Sequence, residues 1–373
     1  MLLRAVGNSL LLNYEFLVDL YKSIENIDKK VKMLYFNSDG KSFSVYTSSS
    51  IASVIGGVQI EGLSTFGFGL DAARFVALVK KLHGQSDIRM TLLKNAVLIQ
   101  QDNISAKFPT SILIQHSGVP NFEVMDTELA KWMSRQVAQC SKIIPNSRRY
   151  PGILIDNDYR NITRLIQFGD NAFRVAAFPK VSLAHSRILI PPEISQAIRS
   201  LSDRVQSFLY RKDHFGVVLE SGLYFYMPTL VDSHPSEYGS YLHLEDSVAQ
   251  LAPSRETFVF DKQQLVVTLE MISSVMREEE TLVRFDFVGM SSSKLPVWKI
   301  SAQSVTGFDL SENLECVDGN ESELPSFRIN RKIFLNTVKE CDGNPVLRDM
   351  DNMFALSDGK ERCGVTMLMK DLI

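Results

Sequence analysis

Apolar and polar positions switch between two periods along this chain, and the switch recurs. Phe66–Leu70 (FGFGL) is a short apolar run ending at Asp71. Beyond it Phe75, Leu78, Val79 and Leu82 recur at helical spacing, while Arg74, Lys80 and Lys81 fall elsewhere on the helix. His83-Gly84 closes that helix at Leu82. Three strand-like runs follow, IRMTLL, AVLIQQ and ISAKF, the first two joined by a tight Lys94-Asn95 turn. The unit is strand, helix, three strands.

The same unit is found six times. An apolar strand meets a helix start at Asn13, Asp71, Asp126, Pro191-Pro192, Asp261 and Asn330, and with Pro192 as the fourth start the intervals are 58, 55, 66, 69 and 69 residues. Asp and Asn accept from the free amides of a first helical turn, and proline tolerates that turn because it has no amide to satisfy. Six starts at near-regular intervals predict an internal repeat. Turn-forming loops at SGVPNF (Ser117–Phe122) and VDSHPSEYGSYL (Val231–Leu242) then divide the chain into domains 1–122, 123–252 and 253–373, with two units in each.

Within this frame helix one runs Asn13–Ile27, and Asp39-Gly40 marks a hairpin between VKMLYFN and SFSVYTSS. SIASVIGGVQI reads as the third strand of that unit. Helix three extends to Ile144, and helix four (PEISQAIRSLSDR) to Arg204. A Ser-rich hairpin (MSSSKLP), an acidic loop (Asp318–Pro325) and a last strand (RCGVTMLM, then KDLI) complete the chain.

Composition narrows the class. With 373 residues, 45% hydrophobic and 22% charged, the chain reads as an ordinary soluble globular protein of two or three domains. No apolar run approaches the ~20 residues of a membrane span, and the N-terminus lacks the basic start and cleavage site of a signal peptide. Cys140, Cys316, Cys341 and Cys363 stand far apart, which favours reduced thiols and a cytoplasmic setting. A net charge of −3 argues against a surface basic all over, but leaves room for a local basic face.

Catalytic signals are absent. Asp39-Gly40-Lys41-Ser42 ends like a phosphate loop, yet the glycine required five residues before Gly40 is Tyr35, so a hairpin turn explains it. Gly67-Phe68-Gly69 lacks the third glycine of a dinucleotide fingerprint. The histidines (His83, His116, His185, His214, His234, His243) have no ligand spacing, so no metal or cofactor is expected. Asp349 and Asp351 read as a turn, and Glu278–Glu280 as a solvated helix end. No Ser-His-Asp order or nucleophile elbow appears. The chain reads as a non-enzyme.

Basic residues are better organised. Three helices carry Arg74/Lys81, Lys131/Arg135/Lys142 and Lys332/Lys339 in the same register of the repeat. At ~100° per residue, Lys131, Arg135 and Lys142 lie within about 40° of one another. Apart from Asp71, these helices are nearly free of acids. If the repeats close around an axis, such helices line one face and surround a polyanion through its phosphates, without base readout.

The pattern resembles the bacterial-type DNA sliding clamp, the β subunit of the replicative polymerase. FGFGLDAARFVALVKKLHG is similar to that family's second-helix segment, FGDNAFRVAAF (Phe168–Phe178) to its TDGxRLA-type strand, TLVDSHPSEYGSYL (Thr229–Leu242) to the end of its domain two, and VTMLMKDLI to its last strand. The resemblance covers the whole chain by order of elements, with few identical runs. It implies an α+β clamp fold of three domains, each of two strand–helix–three-strand units, closing into a ring as a head-to-tail homodimer. The implied function is a processivity factor that encircles duplex DNA and tethers a DNA polymerase.

Matched position by position, the resemblance implies a groove for short peptide motifs of the polymerase and clamp loader. Its lining would be Tyr150, Asp170, Ala172, Phe173, Arg174, Val175, Tyr241, Val365, Met367, Leu368 and Met369. It implies DNA-facing Lys22, Arg74, Lys80, Lys81, Lys131, Arg135, Lys142, Arg148, Arg149, Arg199, Lys332 and Lys339. Dimer contacts would use Phe108, Val275 and Met276, with edge strands near Ile104–Phe108 and Val275–Phe287. Ala172, Ser236 and Leu368 replace the family's Gly, Pro and Pro, and two or three residues extend the end. These departures point to altered peptide preference and a bacteriophage-encoded version acting in bacterial cytoplasm. Two alternatives stay open: a clamp-like transcription co-activator or partner-sequestering module, and a repeat-built nucleic-acid enzyme, the latter disfavoured by the missing acidic metal cluster.

Overall fold

The computed structural model describes residues 3–6, 9–27, 31–40, 42–47, 53–54, 57–59, 64–84, 86–112, 121–145, 151–157, 162–169, 172–179, 187–211, 213–229, 257–276, 282–303, 307, 309–319, 326–350, 353–358, 364–369 and 371–372. They fall into two compact units, 1–138 with 183–232 and 139–182 with 233–373. The architecture is α+β, built from antiparallel strands and few helices.

The repeat is visible in the element order. After β1 (Leu3–Val6), the first repeat is β2 (Ser9–Leu12), α1 (Tyr14–Ile27), β3 (Met33–Ser38), β4 (Ser42–Thr47), β5 (Ser53–Val54) and β6 (Gly57–Gln59). The second is β7 (Phe66–Asp71), α2 (Ala72–Val79), β8 (Ile88–Leu92), β9 (Ala96–Gln101) and β10 (Ile104–Pro109). The third is β11 (Glu123–Val124), α3 (Thr127–Ile143), β12 (Ile153–Asn157), β13 (Ile162–Phe168) and β14 (Ala172–Pro179). The fourth is β15 (Arg187–Ile190), α4 (Pro192–Leu201), β16 (Val205–Arg211), β17 (His214–Leu219) and β18 (Tyr224–Pro228). The fifth is β19 (Thr257–Phe260), α5 (Lys262–Val275), β20 (Leu282–Met290), β21 (Pro296–Gln303) and β22 (Asp309–Gly319). The sixth is β23 (Phe327–Asn330), α6 (Arg331–Glu340), β24 (Val346–Met350), β25 (Met353–Ser357) and β26 (Val365–Met369), and β27 (Asp371–Leu372) follows.

All six helix starts use the expected chemistry. Asn13 accepts from the Glu15 amide at 2.7 Å, Asp71 from Arg74 at 2.8 Å, Asp126 from Glu128 at 2.9 Å, Asp261 from Gln264 at 2.9 Å and Asn330 from Ile333 at 3.1 Å. Pro192 occupies the first turn of α4. Each cap satisfies an otherwise orphaned amide, worth about 1 kcal/mol.

Several ends differ from the sequence reading. Helix two stops at Val79, because Lys81 and Leu82 bond back to Leu78 and Val79 and tighten the last turn. The Gln101 side chain then fixes the exit by bonding the His83 amide and the carbonyls of His83 and Ser86. Helix four stops at Leu201, with a separate 3-10 turn over Ser202–Arg204. The expected third strand of repeat one is two short strands, β5 and β6. Asp318 and Gly319 belong to β22 rather than to the acidic loop, whose remaining residues lie outside the described ones.

In unit 1, β1-β2-β8-β9-β10 and β6-β4-β3-β7 are separate sheets, and β11-β16-β17-β18-β5 is a third. Its core includes an aromatic cluster in which Phe36 stacks on Phe68 (centroids 5.3 Å) and meets Phe75 edge-on (5.5 Å). Each such buried ring contributes about 1.5–3 kcal/mol of burial. In unit 2 the strands run continuously as β12-β13-β14-β26-β25-β24-β19-β22-β21-β20-β23-β27. Its core joins Phe258, Phe285, Trp298, Phe327 and Phe334 with Ala172 and Leu368. Strand pairing therefore crosses both sequence boundaries: β5 pairs with β18 inside unit 1, and β14 pairs with β26 inside unit 2.

Candidate functional site: a strand-paired groove and basic helix faces

Four of the expected groove residues sit on β14 and four on β26, and the structure brings the two strands into direct register. Ala172 faces Leu368, Phe173 faces Met367, Arg174 faces Thr366 and Val175 faces Val365. On its other side β26 pairs with β25, so both of its backbone edges are used. Ala172, Phe173 and Arg174 are each 4% exposed, Val175 7% and Leu368 0%. These side chains form the base of a joint rather than an open wall. Tyr150, Asp170 and Tyr241 lie outside the described residues, as do Arg148 and Arg149 of the basic set.

Arg174 turns inward. Its guanidinium donates to the Gly364 carbonyl at 3.2 Å, to Thr366 Oγ1 at 3.1 Å and to Gln139 Oε1 at 3.1 Å. It also bonds the Cys140 thiol, whose burial pushes the sulfur's pKa up to about 11. Sequence reasoning missed Gln139, Gly364 and Thr366, since nothing local marks partners 35, 190 and 192 residues away.

The basic helix residues are largely at the surface. Arg74, Lys80, Lys81, Lys131, Arg135, Lys142, Arg199, Lys332 and Lys339 are exposed, and Lys22 is half-buried. Some of the charge is neutralised by acids the sequence reading did not connect to it. Within unit 1 Lys80 pairs with Glu25 of α1 at 2.5 Å and lies 5.8 Å over the Tyr21 ring. Within unit 2 Lys142 pairs with Glu340 of α6 at 3.2 Å, and Lys339 with Glu270 of α5 at 2.7 Å. Arg74, Lys81, Lys131, Arg135 and Lys332 make no ion pair among the described residues, so they retain the strongest pull on an anion.

The expected contact residues at the two ends divide differently. β10 is the last strand of its sheet, as expected of an edge. Phe108 on it is 6% exposed and belongs to the core, and Met276 is 7% exposed, whereas Val275 is 47% exposed. The expectation of an open edge over Val275–Phe287 needs correction. Leu282–Phe285 of β20 pair with β23, where Phe285 stacks on Phe327 at 5.1 Å, and among the described residues the rest of β20 pairs with β21 alone.

The catalytic decoys resolve as structure. Gly40, at φ 86°, serves the β3–β4 hairpin, Gly67 and Gly69 lie in β7, and Asp349 pairs with Phe354 across β24 and β25. Among the described residues no group of His, Cys, Asp and Glu could hold a metal ion, and no helix is long and apolar enough to cross a membrane.

No family model matches the chain, and no curated protein matches it in sequence. Solved structures match it over its length. A Helicobacter pylori beta clamp bound to a DNA ligase peptide is similar with TM-score 0.71 at 13% identity, covering 98% of this chain and 100% of that one. The DNA polymerase III subunit beta of Pseudomonas aeruginosa gives 0.74 at 12%, over the same shares. A sliding clamp of Pseudomonas aeruginosa bound to griselimycin gives 0.76 at 13%, covering 99% of this chain and 100% of that one. The chain has the fold of the bacterial DNA polymerase III beta clamps, at 12–13% sequence identity to the three structures named.

Proposed function

We propose that the protein is a DNA polymerase processivity factor. Two copies join head to tail into a ring around duplex DNA, and the ring tethers a polymerase without performing chemistry itself. The observation that carries this reading is the sixfold repeat with all six helix starts intact, matched over 98% of the chain to beta clamps.

In this reading 1–122, 123–252 and 253–373 are the three clamp domains. Lys22, Arg74, Lys80, Lys81, Lys131, Arg135, Lys142, Arg148, Arg149, Arg199, Lys332 and Lys339 face the DNA backbone, whose phosphates reward charge without base readout. Phe108, Val275 and Met276 lie at the contact between copies, and Val275 supplies the exposed apolar surface. Short motifs of the polymerase and loader dock beside the β14–β26 joint, over Tyr150, Asp170, Tyr241, Met367 and Met369. The setting is bacterial cytoplasm, and the source a bacteriophage.

The test is primer extension on a long single-stranded template with the polymerase of the same replication system. Long products that appear only when the protein is added support the reading. Product lengths that do not change with the protein refute it.

A further inference from the structure

Arg174 is named above for the partner groove, yet its guanidinium is nearly all inside the protein. Burying a guanidinium is costly unless each proton meets an acceptor. Here Nη1 reaches Gly364 O and Thr366 Oγ1 on the approach to and within β26 and Nη2 reaches Gln139 of α3, while the buried Nε has no hydrogen-bond partner among the described residues. The planar fork thus spans two elements far apart in sequence, which a lysine's single ammonium does less well. A cavity of about 20 Å³ beside it is lined by Glu340, Asp342 and Asp358 together with Gln139 and Gly364. A Cβ at Gly364 would overlap the guanidinium, so a side chain there would displace Arg174 from its present seat. The start of β26 is therefore shaped to receive Arg174.

We propose that Arg174 is a positioning residue: it holds β26 in register against β14 and so presents the last strand to partners, without touching them. This rests on the reading of the β14–β26 joint as the partner site. It replaces a direct peptide contact by an internal fastener, and it assigns Gln139, Gly364 and Thr366 to the same device.

The test is amide hydrogen exchange on the full chain, which reads the strand and needs no partner. Arg174→Met should speed exchange across Val365–Met369 by about ten- to a hundredfold, the loss of one or two charge-assisted hydrogen bonds. The strands β19 to β22 in the same unit should stay within about twofold of the parent protein. Arg174→Lys should fall between the two. Should Arg174→Met fail to fold, Gln139→Ala and Thr366→Val each remove one acceptor and should give smaller accelerations confined to the same strand. Unchanged exchange in Val365–Met369, or an even acceleration over the whole unit, overturns the proposal. Failure of the partner-site reading would appear separately, as polymerase stimulation indifferent to the last strand.

Discussion

Arg174 and Gly364 are complementary: the guanidinium of one donates to the carbonyl of the other at 3.2 Å and fills the space a side chain at that position would need. Gly364→Ala should therefore cost about 1–3 kcal/mol, the usual penalty for overpacking. Urea denaturation of the variant measures it. A neutral result would mean that the strand entry moves aside freely.

Phe173, one of the lining residues the resemblance implies for the groove, is 4% exposed and stacks on Phe168 at 5.8 Å. Phe173→Ala should lower stability by about 3–5 kcal/mol as a core truncation does. Likewise, deleting Leu368–Ile373 removes a fully buried leucine and half of an internal strand, so it should unfold unit 2 rather than act on partners alone. Removing Asp371–Ile373 takes away only the short β27 pairing with β23 and should leave the unit folded, as circular dichroism melting would show.

Asp19 on α1 is fully buried, with Arg204 Nε 3.0 Å away. Burial pushes its carboxyl above the ordinary value, with Ser221 and Arg204 offsetting part of the effect. A raised folded pKa means the fold favours the protonated form. That contribution is present in full below the unfolded value and is lost as pH rises through the folded one. Asp19→Asn lacks this titration. Its stability relative to the parent should improve as pH rises from about 4 towards 7. A relative loss over that window would show that the Arg204 pair outweighs the burial.

The basic faces give a graded expectation. Lys142 already pairs with Glu340, whereas Lys131 and Arg135 have no ion pair among the described residues. Changing Lys131, Arg135 and Lys142 together to Glu should weaken DNA association and flatten its salt dependence by about one unit of slope per lost phosphate contact. The Lys131 and Arg135 changes should account for most of it. Filter binding across a salt series would show this, and unaltered association would make the stripe a solvated surface.

What was legible in the sequence was local. Asn13, Asp71, Asp126, Asp261 and Asn330 announce helices through their own side chains, and the hairpin at Asp39-Gly40 through Gly40's positive φ. What was hidden depends on contacts between distant segments. Glu25, Glu270 and Glu340 neutralise lysines on other helices, and β23 covers part of β20 from forty-odd positions along the chain. The β14–β26 pairing joins positions about 190 residues apart, so residues expected to line an opening instead fill a joint. Periodicity shows which face of a strand is apolar, but not which strand will cover it.

The most direct test of the whole account is topological. The protein would be loaded onto circular duplex DNA by the loader of its own replication system, passed through a high-salt sizing column, and the circle then cut once. An encircling clamp should stay with the intact circle in salt that strips charge-held proteins, and should slide off after the cut. Dissociation from the intact circle at the same salt as from the cut one would contradict the account.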